Sequence, residues 1–168
     1  MRGYPNSCST PPYDPGPAAS ITTSDLGRLS TVYRDLLGFE LVLETAWEAG
    51  NTAADTIFGL KDTAVRMVML RTSNACLKLF EFSAPRGQSG DPQRPVCDQG
   101  ITHICLAVDE ITAEHARLSA AGMQFHSLPQ DVPGLCRAVN GRVPDGNIVE
   151  LVEADPAGPF ALANLRRD

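Results

Sequence analysis

Three residues of this chain could converge to do chemistry. His103 lies in the apolar run from Ile101 to Val108, Glu150 in Ile148-Val149-Glu150-Leu151-Val152, and Lys78 in the run from Ala75 to Phe82. A carboxylate among aliphatic neighbours is costly to bury alone, so Glu150 needs a partner. An imidazole beside a carboxylate can exchange a proton with a substrate, and a lysine nearby can stabilise the oxyanion that develops as the proton leaves. Strand alternation puts Cys76, Lys78 and Phe80 on one face and Ile148, Glu150 and Val152 on another, so the polar side chains are expected to meet inside. Lys78 and Glu150 are expected to be electrostatically coupled there, with His103 as the proton carrier. Two further residues are candidates for substrate contact: His126 at a cavity mouth, and Arg66 as the cation for a substrate anion. Cys76 and Cys105 flank the site and read as small buried hydrophobes.

A histidine in an apolar strand is usually a satisfied core residue; what singles out His103 is its place in a repeat. The segment from Thr22 through Val32-Tyr33-Arg34-Asp35-Leu36-Leu37-Gly38-Phe39 returns about 85 residues later as Ala107-Val108-Asp109-Glu110-Ile111 through Leu118 and Gly122, by the arithmetic of repeat detection. In this alignment His103 falls on Ala18 and Glu150 on Lys78. The first copy, residues 18–83, reads as a strand from Ala18, a helix capped at Ser24 or Asp25 and stopped by Gly38, then strands near 39–44, 64–71 and 75–82. The second, residues 101–153, reads as a strand to Val108, a helix over 111–121 ended by Gly122, a strand over 123–127 and a hairpin turning at Pro144-Asp145-Gly146-Asn147. Residues 84–100, with Pro85, Gly87, Gly90, Pro92, Pro95 and Gly100, form a linker. Residues 1–17 carry five prolines and are expected to be a disordered arm, and 154–168 form a C-terminal tail.

Composition narrows the function classes. The chain has 168 residues, a net charge of -6 and scattered basic residues, which argues against a nucleic-acid partner. No run is long and apolar enough to suggest a membrane span. Five cysteines without a CxxC pair, and no charged start followed by an apolar run, point to a cytoplasmic protein with reduced thiols.

The phrases Asp25-Leu26, Tyr33-Arg34-Asp35-Leu36-Leu37-Gly38-Phe39, His103 ahead of Val108-Asp109, and Pro144-Asp145-Gly146-Asn147-Ile148-Val149-Glu150-Leu151 resemble the vicinal oxygen chelate superfamily. Its members include glyoxalases, methylmalonyl-CoA epimerases, extradiol dioxygenases and the fosfomycin and bleomycin resistance proteins. The resemblance covers roughly residues 18–153. It implies an α+β fold of two β-α-β-β-β modules forming a paired, incompletely closed β-barrel-like cavity. It also implies a divalent metal held by the first and last strands of each module, here Ala18, Lys78, His103 and Glu150. Alanine offers no ligand and an ammonium repels a cation, so no metal ligand set and no cofactor is expected, although a divalent metal could bind if substrate completed the shell at His103 and Glu150.

These readings predict a metal-independent acid/base isomerase, epimerase or lyase acting on a small carbonyl-containing substrate, assembled as a homodimer that hides exposed apolar strand surface. The alternatives are a non-catalytic drug-binding or resistance protein that uses the same cavity, and a metal-dependent enzyme of the same superfamily.

Overall fold

The computed structural model describes residues 18–161. The expected disordered arm, residues 1–17, lies outside the described residues.

Both copies fold around the same alternation. In the first, β1 (Ala18–Thr22) runs parallel to β4 (Cys76–Ala84), which pairs antiparallel with β3 (Ala64–Arg71), and β3 with β2 (Glu40–Trp47). In the second, β5 (His103–Ala107) runs parallel to β9 (Ile148–Ala154), followed by β8 (Cys136–Arg142) and the two-residue β6 (Gln124–Phe125). A short strand, β7 (Gln130–Val132), also pairs with β8. The architecture is therefore mixed α+β with two separate sheets and no closed barrel among the described residues.

Helix α1 (Leu26–Thr31) begins where the Asp25 side chain accepts the Arg28 N–H and Glu81, from β4, accepts the Leu26 N–H. These carboxylates satisfy donors that the helix itself leaves open. The helix widens into a π turn over Val32–Leu36 and stops before Gly38, whose φ of 73° suits a residue without Cβ. Helix α3 (Ile111–Ala120) occupies the matching place in the second module. Leu29 and Leu118, on the two helices, are fully buried in one cluster with Leu77 and Leu79 of β4 and Val149 and Leu151 of β9. Each such side chain stabilises the fold by about 2 kcal/mol. The odd-numbered residues of β4 and β9 thus face the helices, which leaves Cys76, Lys78 and Phe80 on the opposite face of one sheet and Ile148, Glu150 and Val152 on that of the other.

Between the second and third strands of the first module, where the sequence pattern marks no element, lies helix α2 (Thr52–Phe58). Asn51 caps it and Gly59 ends it at φ 64°. The Asp55 carboxylate accepts from the Thr63 hydroxyl and from the Thr63 and Asp62 backbone N–H groups, which hold it below the usual carboxylate range. Trp47 donates to the same Thr63 hydroxyl, and Phe58 stacks on Trp47 and meets Phe80 and Phe82 edge-on. An aromatic cluster therefore covers part of the face that carries Lys78.

The linker has no regular structure, yet it is tied down. Arg142 donates to the carbonyls of Pro92, Gly146 and Arg94, and Arg94 donates to those of Gln99 and Ile101. This relay ends two residues before His103.

Candidate functional site

The repeat carries into the strand register. Ala18 pairs with Cys76, two residues before Lys78, and His103 pairs with Ile148, two residues before Glu150. Parallel pairing of β5 with β9 brings His103 and Glu150 side by side, with Nε2 and Oε2 3.3 Å apart. Their side chains are 34% and 24% exposed, so a substrate can reach both. The Thr102 hydroxyl lies 3.0 Å from His103 Nδ1. A carboxylate can only accept, so the neutral ring places its proton on Nε2 and receives the Thr102 hydroxyl at Nδ1.

Glu150 has two further neighbours on this face that the sequence reading did not assign. Cys105 sits opposite it on β5 and Asn140 opposite it on β8. Cys105 is exposed rather than buried, which corrects the expectation, because it lies on an edge strand with no described element over it. Burial of the thiol itself, then the Glu150 charge and a hydrogen bond to Glu150, push its pKa up to about 12. The thiol thus stays protonated beside the Glu150 carboxylate. The Asn140 side-chain oxygen is buried without a partner among the described residues. Strand alternation through Val139 and Gly141 was the signal that could have found it.

Cys105 is expected to resist alkylation. At pH 8.5 its thiolate is roughly a thousandfold scarcer than that of an ordinary thiol, and the higher nucleophilicity of the more basic sulfur offsets only part of this, so iodoacetamide should react roughly 50-fold more slowly. Glu150→Gln should speed the reaction by removing the negative charge; labelling of Cys105 at the ordinary rate in the unaltered protein would contradict this geometry.

The other expected site residues fall differently. Lys78 lies on the open face of the first sheet but makes no ion pair within 4.0 Å among the described residues; the side chain within reach of the Glu150 carboxylate is His103, not Lys78. The two residues belong to different sheets, and repeat alignment does not encode the distance between sheets. Arg66 follows Val68 and Leu70 onto the helix-bearing face, where it lies 3.8 Å from Glu81 and 4.0 Å from Glu44, so it does not join His103 and Glu150. His126 is exposed, and it borders a cavity of about 470 Å³ that none of His103, Glu150 and Lys78 lines.

The donor set does not fit a metal centre within this chain. Ala18 stands at one family ligand position and an ammonium at another, and among the described residues no group of three or more His, Cys, Asp or Glu side chains could hold a metal ion.

The family model for the Glyoxalase/Bleomycin resistance protein/Dioxygenase superfamily matches residues 17–151. A comparison with curated proteins finds no match. Among solved structures, the chain is similar to a glyoxalase family protein from Bacillus cereus, at 20% identity and a TM-score of 0.74 over 82% of this chain and 91% of that one. It is also similar to a lactoylglutathione lyase from Agrobacterium tumefaciens, at 22% identity and a TM-score of 0.55 over 84% and 95% of the two chains. A third similar structure is TnmS3, an antibiotic binding protein from Streptomyces, at 18% identity and a TM-score of 0.55 over 82% and 93%. At these identities the likeness shows the shared fold.

Proposed function

The chain belongs to the Glyoxalase/Bleomycin resistance protein/Dioxygenase superfamily, and we propose that within it the protein is a small-molecule enzyme that moves a proton on a carbonyl-containing substrate. The observation that carries this reading is the 3.3 Å approach of His103 Nε2 to Glu150 Oε2 on a face open to solvent. Glu150 takes the proton from the carbon next to the carbonyl, and the C–H electron pair moves into an enolate. His103 donates its Nε2–H to Glu150 and so holds the carboxylate in place before and after it takes the proton, and Lys78, which has no carboxylate partner among the described residues, offsets the charge on the enolate oxygen. Return of the proton to carbon gives isomerisation or epimerisation, and loss of a neighbouring leaving group gives elimination. The four described cysteines are free thiols, which supports a reducing, cytoplasmic setting.

The test is proton exchange. A panel of enolisable carbonyl compounds incubated with the protein in D₂O should include one that loses its α-proton NMR signal faster than in buffer. Saturable binding of panel compounds with no exchange in any would favour a binding protein instead. That second reading is supported by the cluster of Trp47, Phe58, Phe80 and Phe82 on the first sheet, since aromatic faces suit a flat ligand.

The assembly follows from the outer strand β2, where Leu41, Val42 and Leu43 are each more than two-fifths exposed. A second copy of the chain covers this edge in the proposed homodimer. Light scattering at micromolar concentration should give twice the chain mass; a monomer alone would refute the dimer.

A further inference from the structure

The cavity of about 470 Å³ is bordered by the π turn, the end of α3, β6, the linker and the β8–β9 turn, and by none of His103, Glu150 and Lys78. Val32, Leu36 and Leu37, from the end of α1, form one wall, and Leu118, Met123 and Phe125, from the second module, form another. Its volume is in the range of pockets that bind small molecules, roughly 300–1,000 Å³. No Asp or Glu borders it, although the chain carries a net charge of -6, and two basic side chains, Arg142 and His126, do.

Arg142 is the distinctive element. Its Nη1 donates to the carbonyls of Pro92 and Gly146, and its Nη2 donates to that of Arg94. Three of its five N–H groups are thus used by carbonyls, and no carboxylate neutralises the guanidinium among the described residues. The N–H on Nε and one on Nη2 remain, and two is the number that a carboxylate takes from one arginine.

We propose that this cavity binds an amphipathic carboxylate, an aliphatic acid of medium length, with its chain among Leu36, Met123 and Phe125 and its head on Arg142. Apolar walls favour the chain in proportion to the area removed from water, and the unneutralised guanidinium selects the anionic head over a neutral one. The site is independent of the proton-transfer reading, because it shares none of His103, Glu150 and Lys78.

Titration of the ¹⁵N-labelled full chain with decanoate, decanol and decyltrimethylammonium tests this. Decanoate should move the backbone amides of the π turn and of β6 saturably, with decanol about tenfold weaker and the cation weaker still. Leu36→Trp, which fills the cavity, should remove decanoate binding while thermal unfolding and spectral dispersion remain those of a folded protein. Arg142→Gln should weaken decanoate by about tenfold and leave decanol unchanged, but Arg142 also holds the linker, so the three ligands on the unaltered protein carry the test if that variant does not fold. Equal binding of decanoate and decanol, shifts confined to other surfaces, unchanged binding in folded Leu36→Trp, or no saturable shift into the millimolar range would overturn the proposal.

Discussion

Replacing His103 with alanine is expected to lower catalysed proton exchange by about 10²–10⁴-fold, the usual worth of a positioned acid or base. Folding should change little. The His103 ring is one-third exposed and its contacts are to Glu150 and Thr102 at the open end of an edge strand, so its loss leaves no sealed cavity. Glu150, whose side chain is about one-quarter exposed, keeps access to water. Paired measurements of exchange rate and thermal midpoint check this. A large fall in midpoint with proportionate loss of exchange would make His103 a structural residue.

The second large effect is expected far from that pair, at Gly146. Its φ is 80°, and a Cβ there would lie 2.3 Å from Pro92 Cα and 2.5 Å from Pro92 O, both backbone atoms. Gly146→Ala therefore adds left-handed strain and also lifts the linker from the β8–β9 turn, together costing about 3 kcal/mol of stability in urea unfolding. The lifted segment includes the carbonyls that Arg142 binds, and through Arg94 it leads to Ile101, just ahead of His103. Exchange should fall as well. Gly90→Ala is the control, since nothing lies within 4 Å of its Cβ position. A Gly146→Ala protein as stable as that control would mean that the linker does not rest on this turn.

Much of the fold was legible because the two copies repeat strong local signals. Asp25 and Gly38 bracket α1, Gly122 closes α3, and alternation through Leu77 and Leu79 or Val149 and Leu151 identifies the buried faces. The π turn was not legible, since the spacing of Val32, Tyr33, Leu36 and Leu37 suits an ordinary helix equally well. Helix α2 had its cap signals in Asn51 and Gly59, but little apolar periodicity marks its core-facing side, and Phe58 supplies its aromatic packing. Strand β7, Gln130-Asp131-Val132, is too short and polar to announce itself, and β6 keeps only two of the five residues expected of it. At the site, the repeat located His103 beside Glu150 because parallel neighbours inherit their register from the module. It could not report the separation of Lys78 from Glu150, which depends on how two sheets dock. Arg66 alternates with Val68 and Leu70, and that pattern sets it on the helix-bearing face near Glu44 and Glu81.

His103 and Glu150 act as one unit in the proposed reaction, and a double-mutant cycle on proton exchange in D₂O tests that most directly. Groups that act as one hydrogen-bonded unit lose most of their effect when either is removed. With the substrate found in the panel, His103→Ala, Glu150→Gln and the double variant should therefore be slowed to similar rates, the double no more than about threefold below the slower single. Rates that multiply, with the double variant slowed by the product of the two single effects, would show two independent residues and contradict the proposed dyad.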